Sequence, residues 1–163
     1  MPDLYLQILQ ILSQDANVPH ESIAKQLAVD TAKVKAIIAE LEQTKMILGY
    51  KAIINKEKVF EDKVFAVIEV RVSPERTGGF DHISKRLYQF PEVRSLYLMS
   101  GSYDLLIFIE GKNLKEVAGF VATKLSTIDR ILHTATHFVL KTYKEDGIML
   151  DAEAAPERLK VSP

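Results

Sequence analysis

The 163-residue chain has no cysteine, four histidines and six arginines, the first of them Arg71. Without cysteine there are no disulfides, thiolate metal sites or cysteine nucleophile, which suits a reducing, cytoplasmic setting. The histidines His20, His82, His133 and His137 do not cluster. Even the pair on one predicted strand face, His133 and His137, would stand about 13 Å apart at 3.3 Å per residue, too far to chelate one ion. No apolar run reaches the roughly 20 residues that span a bilayer. The start, MPDLYLQILQIL, carries an acid where an export signal carries bases. A glycine-rich phosphate loop, a metalloprotease helix and a serine elbow are also missing. The paired carboxylates Glu61-Asp62 and Glu145-Asp146 fall in linkers, where solvated charge is the default. These absences predict a soluble protein with no membrane partner, no catalytic residues, no metal and no cofactor.

What is present is apolar periodicity of two kinds. Leu4, Ile8, Ile11 and Leu12 form a helical stripe behind Asp3, a candidate N-cap, and Asn17-Val18-Pro19 breaks the chain. Ile23, Ala24 and Leu27 then line a short helix, a turn falls near Ala28-Val29-Asp30, and Val34, Ile38 and Leu41 repeat on a second helix. Two short helices meeting at a tight turn read as a helix-turn-helix, with a wing expected over residues 47–54. The second helix keeps Thr31, Lys33, Lys35 and Ala39 off its buried stripe. In such a motif that face usually meets the major groove of DNA.

Near residues 60–63 the spacing changes from helical to alternating. The expected organisation is a winged helix-turn-helix over 1–60, a second domain over 61–145 and a partly ordered extension over 146–163. In the second domain residues 64–72 alternate as a strand, and Gly78-Gly79 opens a helix on Phe80, Ile83 and Leu87 that Pro91 ends. Strands over 93–100 and 104–110 join through Gly101-Ser102-Tyr103. Asn113 with Glu116 resembles a capping box opening a helix to Leu125, and a last strand covers 131–143. The order βαββαβ predicts an α+β fold, a ferredoxin-like split βαβ sandwich.

Helices cover one face of such a sheet, yet both faces are apolar. Phe65, Val67, Leu106, Phe108, Phe138 and Leu140 are assigned to the second face, opposite Val64, Ile68, Ile107, Ile109 and Val139. Burial at about 25 cal/mol per Å² favours pairing two such faces in a homodimer. The alternative is that the tail or the winged helix covers the face within one chain.

The segment LAVDTAKVKAIIAELEQTKMILGYKAIINK, followed by a βαββαβ pattern with Gly101-Ser102-Tyr103-Asp104 at its hairpin and Thr134-Ala135-Thr136 in its closing strand, resembles the leucine-responsive and asparagine regulator (Lrp/AsnC) family of prokaryotic transcription factors. The resemblance runs from residue 4 to about 143. It implies a DNA-binding winged helix joined to an amino-acid-sensing domain, assembled as dimers that associate further, often to octamers.

The chain also departs from that family. Similar proteins place arginines where Ile37 and Glu40 stand here, and glycines where Ala28 and Lys45 stand. Over residues 1–62 seven lysines face nine acids. Arginine bidentate to guanine is the commonest specific contact, so each reader should bind weakly and salt-sensitively. Linking several readers can raise avidity by roughly 10²–10⁴. The candidate contacts to double-stranded DNA are Thr31, Lys33 and Lys35, with Lys51 from the wing on phosphate. Left-handed backbone at Ala28 and Lys45 would bring strain.

For a small-molecule effector, Gly101 permits close backbone approach and Asp104 supplies a counter-charge to an ammonium group, which suits an amino acid. From the resemblance, Tyr103, Asp104, Thr134 and Thr136 are carried over as effector contacts at inter-dimer sites. The plain reading of the same residues is a hairpin with Asp104 capping its own turn. Two other functions fit the architecture: an enzyme like the siroheme decarboxylases, which resemble the same domain pair, and an effector-sensing module without DNA binding. The few scattered arginines argue against a polycarboxylate tetrapyrrole.

Overall fold

The computed structural model describes residues 2–60, 62–74 and 79–150. They form two compact units, divided between Ala52 and Ile53. The break falls eight residues before the limit at 60 expected from the sequence, because the short helix that follows Ala52 bonds to the second unit. Gly78, Glu61 and the tail over 151–163 lie outside the described residues.

The first unit is three helices: α1 (Asp3–Gln14), α2 (His20–Leu27) and α3 (Thr31–Gln43). Ile8, Ile23, Ala24, Val34, Ile37, Ile38 and Leu41 form its core. Each fully buried aliphatic side chain there contributes roughly 1.5–3 kcal/mol. Asp3 is not the N-cap of α1. Pro2 occupies that position without a side-chain bond, and Asp3 instead accepts from Gln7 Nε2 one turn on. Asp30 does cap α3, its Oδ1 accepting the Ala32 N–H at 2.6 Å. Between α2 and α3 Ala28 takes φ 53°, and after α3 Lys45 takes φ 60°. Both are left-handed, as the missing glycines led us to expect.

The wing predicted over 47–54 pairs with no strand among the described residues. Met46 and Ile47 donate their N–H groups back to Leu41 O, and Leu48 and Tyr50 then stand exposed. A segment without a partner strand has no ladder to hold it.

The second unit opens with the one-turn helix α4 (Lys56–Val59), capped by Asn55. There follow β1 (Val64–Val72), α5 (Asp81–Leu87), β2 (Val93–Leu98), β3 (Leu105–Gly111), α6 (Leu114–Phe120), whose end widens into a π-helical turn over Val121–Leu125, and β4 (Ile131–Phe138). The four strands make an antiparallel sheet in the order β2-β3-β1-β4, the ferredoxin-like arrangement. Asn113 Oδ1 accepts the Glu116 N–H at 2.9 Å, while the Glu116 carboxylate returns to the Lys112 N–H, one residue earlier than in the usual capping box. β4 stops at Phe138, five residues short of expectation, and the chain ends its described part in a small hairpin, β5 (Lys144–Glu145) with β6 (Ile148–Met149).

One face of the sheet, with Ala66, Ile68, Val70, Val72, Leu105, Ile107 and Ile109, packs with Ile83 and Leu87 of α5 and Val117 and Phe120 of α6. The packing is closest at Gly111, where an added Cβ would come within 2.9 Å of Val117 Cγ2. The other face presents Val67, Leu106 and Phe108, and the ring of Tyr97 meets that of Phe108 edge-on at 5.9 Å. Register corrects one assignment: Phe138 pairs with Ala66, so it belongs to the helix-covered side, and Val139 N–H bonds Phe65 O. Leu140 lies beyond the strand, almost wholly exposed.

Candidate functional site

In the first unit the question is what α3 offers outward. At about 100° per residue, Thr31, Lys35 and Ala39 fall along one line of the helix, with Ala32 and Ala36 beside it. Lys33 lies about 160° round from Lys35, on the opposite flank, two turns before Glu40 on the same side. The predicted face is therefore split, because positions 33 and 35 are two residues apart on a helix. Thr31 is half-buried; Lys33, Lys35 and Lys51 are exposed. Lys35 Nζ stands 4.0 Å from Glu21 Oε1, with both side chains well solvated, so α2 partly screens it.

The two positions expected to carry outward arginine behave differently. Ile37 is a core residue, 4% exposed. Glu40 is exposed, and its Oε2 accepts the Tyr5 hydroxyl at 2.6 Å. That hydrogen bond, with some desolvation and the Glu40 charge, raises the Tyr5 pKa above 10.0. Over residues 1–52 there are five lysines (25, 33, 35, 45, 51) and six acids (3, 15, 21, 30, 40, 42), so this unit is slightly acidic.

In the second unit the candidate effector residues gather at one end of the sheet. Gly101, Tyr103 and Asp104 occupy the turn between β2 and β3. Gly101 has φ 129°, a conformation for glycine, with open space where a Cβ would project. Asp104 is tied on three sides: its carbonyl accepts Met99 N–H at 2.8 Å, its N–H donates to Val70 O at 3.0 Å, and its Oδ2 accepts Val72 N–H at 2.9 Å. The Val72 contact arises where the pairing of β1 with β4 shifts register, between Arg71 and Val72. Asp104 thus caps a neighbouring strand as well as closing its turn. The bulge that makes this possible leaves no mark in the alternation of residues 64–72.

Thr134 pairs with Val70 and Thr136 with Ile68, both half-buried on the helix-covered side. Val70 also pairs with Leu105, so β1 separates Thr134 from the turn by two strand spacings, about 10 Å. Thr136 is about 7 Å further along β4. The structure brings Gly101, Tyr103, Asp104 and Thr134 to a common end, with Thr136 set back from it.

At the opposite end of β1 lies a shallow cleft of about 210 Å³, lined by residues of 56–65 and 139–142. Its cations are already engaged: Lys56 pairs with Glu145, and Lys63 with Glu110. No group of three or more histidines, aspartates or glutamates could hold a metal among the described residues. No helix among them is long and apolar enough to cross a membrane.

The Lrp/AsnC ligand binding domain model matches residues 65–149, the βαββαβ sheet with its closing hairpin. The uncharacterized HTH-type transcriptional regulator YugG of Bacillus subtilis is 44% identical over 96% of this chain and 95% of its own length. The chain belongs to the Lrp/AsnC family. Another relative, the HTH-type transcriptional regulator LrpA of Pyrococcus horikoshii, is 30% identical over 84% of this chain and 94% of its own length. Among solved structures, Escherichia coli AsnC superposes with a TM-score of 0.69 at 22% identity, covering 91% of this chain and 97% of that one. The regulator NMB0573 of Neisseria meningitidis, solved as an L-Met complex, superposes with a TM-score of 0.70 at 20% identity, covering 89% and 93%. At those identities the two structures establish the fold alone. The curated relatives carry the names of regulators, and this Lrp/AsnC chain is a transcriptional regulator and not an enzyme.

Proposed function

We propose that this Lrp/AsnC regulator acts in the cytoplasm, binding double-stranded DNA through α3 and sensing an amino acid at the turn end of its sheet. The observation that carries the DNA half is α3 itself. It is capped by Asp30, pinned to the core by Val34, Ile37, Ile38 and Leu41, and exposed at Ala32, Lys35, Ala36 and Ala39. Lys33 and Lys51 add charge at its margins as phosphate contacts. The effector half rests on the open space at Gly101 beside Asp104 and Tyr103, with Thr134 and Thr136 across β1. One Asp104 oxygen holds Val72, which leaves Oδ1 to face an ammonium group.

The uncovered sheet face is closed by a second copy, and such dimers associate so that effector sites form between them. A symmetric dimer supplies two α3 helices, which compensates for the weak charge of each. The slightly acidic first unit favours one rival reading, an effector-sensing module that has lost DNA binding.

Titration of DNA from the protein's own promoter region at several salt concentrations, with and without a panel of amino acids, tests the proposal. Retarded complexes with a negative salt slope, altered by one or a few amino acids, are the expected result. No complex even in dilute buffer would leave only the sensing module. Sedimentation of the same samples reports assembly, and a monomer at micromolar concentration would refute the paired sheets.

A further inference from the structure

Helix α4 is a single turn with no buried residue. One turn of helix is not stable by itself, since nucleation fixes several dihedrals for one hydrogen bond. Something outside it must hold it in place. The contacts of its first two residues, Lys56 and Glu57, lead to the far end of the chain. Lys56 Nζ lies 2.5 Å from Glu145 Oε1, 89 residues away, and 4.9 Å over the Phe65 ring. Glu57 Oε1 accepts the Thr142 N–H at 2.8 Å, 85 residues away.

The receiving segment is itself built. β5 and β6 are joined by Asp146 and Gly147 at φ 46° and 88°, and Leu150 N–H returns to Tyr143 O. A two-stranded hairpin of this size is also marginal alone. Each element therefore lacks what the other supplies. Both ionic side chains are about a third exposed or less, Lys56 at 35% and Glu145 at 27%, so their attraction is only partly screened by water.

We propose that the segment over 142–149, the hairpin with Thr142 before it, is a latch on the connector: closed, it makes residues 53–60 part of the effector domain and confines the pivot of the chain to residues 48–52. Opening the latch would lengthen the loose connection from about 5 to about 13 residues, which lowers the effective concentration of one reader relative to another. The latch is a feature of the second unit and stands whether or not α3 binds DNA.

Hydrogen exchange of the full-length protein, followed by mass spectrometry, reads the latch directly at the Lys58 and Phe60 amides, which bond Asn55 O and Lys56 O. Glu145→Ala and Glu57→Ala should each speed exchange there roughly three- to ten-fold, with the amides of β1 and β3 unchanged. The exchanged pair Lys56→Glu with Glu145→Lys should return the rate toward wild type. Trypsin cleavage after Lys58 should follow the same order. Unchanged exchange at α4 in both single variants would overturn the proposal. So would equal acceleration across the whole sheet in both, since the residues would then be holding the domain and not the connector.

Discussion

The Asp104 carboxylate on β3's leading turn accepts the N–H of Val72 on β1 at 2.9 Å. Because Asp104 is only half-buried, its removal costs less than a core hydrogen bond, yet it leaves Val72 N–H unmatched at the bulge. Asp104→Ala should destabilise the protein by about 0.5–1.5 kcal/mol in urea unfolding, with Asp104→Asn milder. An unchanged midpoint would mean that Asp104 has no structural duty and is available entirely to a ligand.

Ala28 and Lys45 both sit in left-handed backbone, at φ 53° and 60°. A side chain there costs about 1–2 kcal/mol, and glycine returns part of that gain through its unfolded-state entropy. Ala28→Gly and Lys45→Gly should each raise stability by about 0.5–1 kcal/mol, visible as a higher thermal midpoint. The two sites flank α3 without contacting each other directly, so their effects should add.

Glu110 sets the response to acid. Burial pushes its pKa up, but the Lys63 hydrogen bond and the charges of Arg94 and Lys63 outweigh it, and the balance falls below 4.5. Glu92, with Lys124 as partner, behaves alike. A carboxylate whose folded pKa is depressed stabilises the fold above its unfolded pKa and loses that contribution as pH falls through the folded one. Stability should therefore decline from about pH 4.5 downward, and Glu110→Gln should flatten the decline while lowering stability at neutral pH. Unfolding midpoints measured across that range decide it.

On α3, Lys35 shares a line with Thr31 and Ala39, whereas Lys33 sits on the far flank. If the Thr31 line enters the groove, Lys35→Ala should weaken DNA binding and reduce the salt slope by about 1. Lys33→Ala should change it less. Equal losses from both would mean that the helix is presented along its Ala32-Ala36 edge, with a lysine on either side.

Much of this was legible beforehand, for local reasons. Stripes such as Val34-Ile38-Leu41 and the alternation over 64–72 state which side is buried, and Asn113 with Glu116 states where a helix starts. The candidate residues Gly101, Tyr103, Asp104 and Thr134 lie at one sheet end, with β1 between Thr134 and the turn. What escaped depended on contacts between distant residues. Ile37 stands where similar proteins place an arginine, yet it lies in the core of the first unit, 4% exposed. Phe138 changed face because register, set by β1, fixed its direction. The Val72 bulge and the hold of Glu145 on Lys56 have no counterpart in periodicity, since each joins segments far apart in sequence.

Gly111 gives α6 its seat, since a Cβ built there would come within 2.9 Å of Val117 Cγ2. A methyl group there would force Val117 to shift, so β3 and α6 pack closely at this point. A shove delivered at the Gly101 end of that strand would be handed on to the helix whole, as by a rigid lever, and not absorbed as slack along the way.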